Sequence, residues 1–218
     1  MIVPDSPPAG EVAGRAAAAA LAGQRVLTPA RVPDGLPPVH YTVTAATTLS
    51  YTFSAAKVRA AAEASGHPLP AMPPGLDGST IHVTIGPIVI ATYAYPGGKE
   101  RADAVPALIV AQAPRPRVTS TGAGVSEIED YLLSQPGISP RLVREIRAIG
   151  DPTTTLPIPV PIDLVAAHRV TVQGVSGLAI GDNTRVGSGV IWEKDGMVYG
   201  VAGGMPESKV LSIAETLR

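Results

Sequence analysis

The chain contains no cysteine, so disulfides, thiolate metal sites and cysteine nucleophiles are excluded together. Aromatic residues are also few: Trp192, Phe53 and six tyrosines in 218 residues. A core must therefore be built from Val, Ile, Leu and Ala. Charged residues make up 16% of the chain, against roughly 25% in an average soluble domain. The balance of 17 basic and 18 acidic residues leaves a net charge of -1. Phosphate binding needs a basic surplus or a basic stripe, so nucleic acid is not an expected partner. No stretch reaches the roughly 18 apolar residues of a membrane span. The run 16–22 is apolar but short, and Asp5 and Glu11 stand where a signal peptide carries basic residues. It reads as a short Ala-rich helix. Any membrane anchor is expected outside this chain.

Glycine and proline, at 23 each, are abundant. Glycine shows no three-residue period, which excludes collagen. A hydrophobic fraction of 45% in periodic runs argues against disorder throughout. Proline concentrates in segments 4–8, 29–38, 68–74 and 157–161, where it punctuates short elements.

Residues 1–38 read as a Pro/Ala-rich N-terminal segment and linker, with a helix over 11–24 on Ala propensity. Residues 39–218 read as an α+β domain with two sub-layers, 39–113 and 164–218, joined by a helical hairpin over 126–149. In the first sub-layer 41–51 is strand-like, and Ser54 caps a helix over 55–65 that Gly66 ends. Segments 79–86, 88–95 and 105–113 read as three strands of one antiparallel meander. Residues 114–124 read as a break. Ser126 and Glu129 have capping-box spacing, and Ser139-Pro140 starts the second helix of the hairpin. Prolines at 157, 159 and 161 make 156–163 a strap or an edge strand. The last third reads as strands over 168–174, 178–182, 189–193 and 197–202, with Asp195-Gly196 as a hairpin turn, then a helix with Val210, Leu211, Ala214 and Leu217 on one face. The expected fold is a curved antiparallel sheet with helices packed on one face.

Catalytic and metal motifs are scarce. His40, His67, His82 and His168 lie in separate segments without an i, i+4 partner. Gly187-Ser188-Gly189 is flanked by Val186 and Val190, so it is not a nucleophile elbow. Asp182-Asn183-Thr184 is explained by turn chemistry. Glu127, Glu129 and Asp130 suit the first turn of a helix, and Arg141, Arg144 and Arg147 form a helical stripe. No nucleophile, base and orienter come together. The expectation is a non-enzymatic protein without cofactor or metal. A distant pairing such as His168 with Asp182 is the remaining hydrolase reading. Trp192 and Tyr199 face each other across the Asp195-Gly196 turn. Such a pair stabilises a hairpin by roughly 0.2–1 kcal/mol, or else presents an aromatic patch to a ligand. With Tyr93, Tyr95, Ile158 and Val160 it makes up the candidate ligand- or partner-facing set.

The stretches GLDGSTIHVTIGP, EDYLLSQPGISP, RAIGDPTTTLPIPVPID and GLAIGDNTRVGSGVIWEKDGMVYGVAGG and the terminal KVLSIAETLR resemble a family of bacterial extracytoplasmic proteins over about residues 70–218. The tail, a strand ending in Trp192, the D-G turn, a strand with Tyr199-x-Val201-x-Gly203 and the final helix, resembles a domain of unknown function found behind anti-sigma factors and in bacterial lipoproteins. That domain is related in architecture to lipoprotein-carrier folds. The resemblance implies an extracytoplasmic domain tethered to the cytoplasmic membrane. The first functional expectation is a sensory or binding domain for a protein partner or apolar ligand. The second is a carrier holding a lipid or other apolar ligand between sheet and helices.

Overall fold

The structure, a computed structural model, describes residues 9–33, 36, 39–66, 69–93, 106–136, 140, 143, 144, 147, 165–182 and 187–218. In chain order its elements are β1 (Ala9–Val12), α1 (Arg15–Ala22), β2 (His40–Thr44), β3 (Thr47–Thr52), α2 (Ala55–Ser65), β4 (Thr80–Ile85), β5 (Ile88–Tyr93), β6 (Leu108–Pro114), β7 (Arg117–Thr121), α3 (Val125–Leu133), β8 (Val165–Val172), β9 (Val175–Asp182), β10 (Ser188–Lys194), β11 (Met197–Gly203) and α4 (Glu207–Glu215). The protein is α+β with antiparallel sheets. Its chain divides into two compact units. The smaller draws on Thr47–Ile85 and Pro116–Ile158, the larger on Asp5–Ala46, Gly86–Arg115 and Pro159–Arg218.

The larger unit holds an eight-stranded sheet in the order β1-β2-β5-β6-β11-β10-β9-β8. All its neighbours are antiparallel. It consists of two four-stranded meanders, β1-β2-β5-β6 and β8-β9-β10-β11, whose last strands pair in the centre. Each meander contributes one helix to the same face. Side chains alternate across a pleated strand, so register decides which residues meet those helices. One row across the sheet runs Tyr41, Ala91, Val110, Val201, Val190, Ala179, and every member is at most 4% exposed. Ala18 and Ala22 of α1 and Val210, Ile213 and Ala214 of α4 close over this face. Two further contacts tie the terminus down. Thr28 and Arg218 exchange backbone hydrogen bonds of 3.1 Å. Gln173, in the tight Gln173-Gly174 turn with φ of 50°, donates its side-chain amide to the carbonyls of Ala214 and Leu217. The last carbonyls of a helix lack intrahelical partners, and Gln173 supplies one.

The smaller unit has a three-stranded sheet, β3-β4-β7. Phe53, Leu76, Ala123, Ile128 and Tyr131 form its core. Ser54 accepts from the Lys57 N–H and Asp77 from the Ala55 N–H, which together cap α2. One sheet face carries a polar ladder: Thr48 with Thr84 at 2.9 Å, Ser50 with His82 at 2.7 Å and Thr52 with Thr80 at 2.8 Å. Ser79 is buried. Its hydroxyl donates to the Gly75 carbonyl and accepts from the Ala123 N–H.

Several expectations from sequence change. The segment 11–24 is not one helix: its start pairs as β1, and α1 begins only at Arg15, after Gly14. The expected three-strand meander is split. β5 pairs with β6, but β4 joins the smaller unit, and the change of unit falls at Gly86. The segment 114–124 is not a break: Arg117–Thr121 pairs with β4 as β7. Helix α3 starts at Val125 with Gly124 as its cap residue, so Ser126 caps nothing. The division into sub-layers 39–113 and 164–218 is replaced too, since strands from both build the one eight-stranded sheet. The strap 156–163 and most of the second helix of the hairpin lie outside the described residues, as do residues 1–8.

Candidate functional site

The opposite face of the eight-stranded sheet, the helix-free face, on which neither described helix of this unit packs, is also apolar. Register places two adjacent rows on it. The first runs Ile180, Gly189, Ala202, Ile109 across β9, β10, β11 and β6. The second runs Leu178, Ile191, Gly200, Ala111 and continues to Ile90 on β5. The middle positions are Gly or Ala and the flanks are mostly Ile. A trough therefore runs along β11, floored by Gly200, Ala202, Gly189 and Ala111. It is a shallow, open depression of about 440 Å³.

The fold does not demand glycine on this floor. Gly189 and Gly200 lie in ordinary strand conformation, and a Cβ on Gly200 would meet nothing nearer than Ala111 Cβ at 3.9 Å. Glycine inside a strand weakens it and often marks close approach by another molecule. The space above β11 exists because those side chains are missing.

Among the described lining residues the one hydroxyl, that of Ser188, donates to the Met205 carbonyl at 2.7 Å. Backbone N–H and C=O groups of β6, β10 and β11 are engaged on both sides, because each strand has two neighbours. Among the described residues an ion pair lies beyond one end. Arg115 Nη2 meets Glu193 Oε1. Glu193 belongs to β10, Arg115 follows β6, and β11 lies between them, so this ion pair spans β11 near Val198, one row beyond the lining residues Ile191, Gly200 and Ala111.

The residues expected to face a ligand are placed elsewhere. Trp192 and Tyr199 pair in register as expected and stack with centroids 5.5 Å apart. They are 2% and 9% exposed and point toward the helices. Tyr93 is 7% exposed in the same core. Tyr95, Ile158 and Val160 lie outside the described residues. None of the three described residues lines the trough. The residues that do were missed, although the runs LIVAQA and GVIW show no polar alternation, which is the sign of a strand apolar on both faces.

His168 pairs in register with Ala179, not with Asp182, and its Nε2 lies 3.1 Å from Glu207 Oε1 of α4. His40 meets Glu11 at 2.9 Å, and His82 meets Ser50. Among the described residues no group of three or more His, Asp or Glu side chains is placed to hold a metal ion. No helix among them is long and apolar enough to cross a membrane.

Titration is concentrated on the helix side. Burial raises the Tyr93 phenol to about 12, and the neighbouring Tyr41 adds to the rise. Tyr41 and Tyr199 are also raised, mainly by burial. An unfolded tyrosine titrates near 10. Above that pH the unfolded chain loses a proton that the folded chain keeps. Stability from Tyr93 is therefore complete below about pH 10 and is lost as pH climbs toward 12. Urea unfolding at a series of alkaline pH values should show this decline, and Tyr93→Phe should make it shallower.

No family model, curated protein or solved structure matches the chain.

Proposed function

We propose that this is a non-enzymatic binding protein that holds an apolar ligand on the helix-free face of its eight-stranded sheet. The observation that carries the reading is the trough along β11, walled by Ile109, Ile180 and Ile191, whose glycine floor the fold does not need. A polar occupant would lose its water without gaining hydrogen bonds there, at a cost of a few kcal/mol per group. An aliphatic occupant loses nothing. The helix side is a poorer home for a ligand, because Val26, Trp192, Tyr199 and Val210 fill it. An extracytoplasmic address, membrane tethering and a lipoprotein-carrier-like relationship are supported by the resemblance of the tail.

Decanol is a suitable neutral probe. Isothermal titration should show saturable binding to the wild-type chain. Gly200→Val, which puts a branched side chain on the floor, should weaken it at least about tenfold, or about 1.4 kcal/mol. Binding that is absent, or that Gly200→Val leaves unchanged in a folded protein, would overturn the proposal.

A further inference from the structure

The apolar floor says nothing about the ligand's head, but the end of the trough does. We infer that the ligand is a free single-chain carboxylate whose head group is read by Arg115. This rests on the trough holding an aliphatic chain.

Arg115 is fixed at its backbone, where its N–H donates to the Gly196 carbonyl at 2.9 Å. Its side chain must then reach from the end of β6 over β11 to meet Glu193 on β10. That route carries the guanidinium over β11 near the row Glu193, Val198, Ala113, one row beyond Ile191, Gly200 and Ala111 of the trough. Only Nη2 meets Glu193. Nε and Nη1 have no hydrogen-bond partner among the described residues. A guanidinium offers five N–H donors in a planar fork that matches a carboxylate, so one edge remains for a second anion. The pair is partly open to water, with side chains 37% and 41% exposed, so the head can arrive hydrated while the chain lies over Gly200 and Ala202.

Among the described residues that line the trough none is charged, and the Arg115–Glu193 pair lies one row beyond them. An alcohol accepts only a neutral hydrogen bond from that edge of the guanidinium, weaker than the charge-assisted pair a carboxylate makes, and a quaternary ammonium head cannot accept from it at all. An extended peptide fits poorly, since its backbone groups would face Ile and Gly with no partners. Glu193 both positions Arg115 and opposes the incoming anion, so it weakens binding while ordering the site.

The experiment compares decanoate, decanol and decyltrimethylammonium at neutral pH by titration calorimetry. Wild type should bind decanoate at least about tenfold more tightly than decanol, and the cation most weakly. Arg115→Gln should remove the preference for decanoate and leave decanol binding unchanged. Arg115→Lys should keep part of it, as a point charge without the fork. Glu193→Gln should strengthen decanoate binding. Both side chains are partly exposed, so these variants are expected to fold, and Trp192 fluorescence verifies it. If decanol binds and decanoate binds no better, or if Arg115→Gln weakens both alike, the head-group inference fails while the trough reading stands. If none of the probes binds, the trough reading itself fails. Vesicles of phosphatidylglycerol are the remaining arm: tight association with them and none with decanoate would overturn the free carboxylate as the ligand. Should Gly200→Val not fold, Ala202→Leu fills the same floor and keeps the test of the chain's position.

Discussion

Gly203→Ala is expected to destabilise the larger unit by about 1–3 kcal/mol or more, while Gly200→Ala, three residues earlier on the same strand, costs nothing. At Gly203 a Cβ would fall inside the contact envelope of the Ala107 carbonyl oxygen and 3.1 Å from Met205 Cε. The obstructing oxygen belongs to backbone and cannot swing away, so β11 or the approach to β6 must shift. Overpacking of this kind costs on the order of 1–3 kcal/mol. At Gly200 the nearest atoms are 3.9 Å and 4.0 Å away. Replacing a strand glycine there relieves an entropic cost of roughly 0.5–1 kcal/mol. Trp192 is the single tryptophan and is buried in this unit, so urea unfolding followed by its fluorescence reads both variants. Equal midpoints for the two would contradict this account of the strand glycines.

The second large effect belongs to the smaller unit. Leu76→Ala should cost about 2–5 kcal/mol, the range for a fully buried leucine. Leu76 is 0% exposed, and among the described residues Phe53, Ala123, Ile128 and Tyr131 are the others buried in its cluster. A core that small has little side-chain volume to close the cavity. The loss extends to the loop before β4, where the Leu76 N–H bonds to the Pro73 carbonyl and the Leu76 carbonyl accepts from Ser79. Amide hydrogen exchange on β4 and β7 measures the effect directly. Protection there should fall by at least about 30-fold, equivalent to 2 kcal/mol, and unchanged protection would show that this cluster does not hold the sheet.

The sequence announces local geometry better than partnership. Asp195-Gly196 marks its hairpin because both central residues need positive φ, and they have φ of 52° and 76°. Gln173-Gly174 makes the same kind of turn with φ of 50° and 81°, but glutamine is not a usual turn residue, so that hairpin is hidden. β4 and β5 carry similar β-branched patterns, and nothing local tells that Ile85 and Ile88 serve different sheets. β7 is short and bounded by Pro116 and Gly122, so punctuation masks its alternation of Val118 with Thr119. The site follows the same logic. Trp192 and Tyr199 draw notice as rare aromatics, yet parity along β10 and β11 turns them to the core. The same parity turns Ile191 and Gly200 to the other face, and parity becomes informative only once the helices are placed. The clues available beforehand were the four-residue apolar runs 108–111 in β6 and 189–192 in β10.

The central claim is that an aliphatic ligand sits on the helix-free face. Methyl-resolved NMR on a titration with decanoate tests it most directly, because the two faces carry different methyl groups. The account predicts shifts at Ile109, Ile180 and Ile191, with Val190, Val201, Val210 and Ile213 nearly still. Shifts confined to the second set would place the ligand between sheet and helices and contradict it.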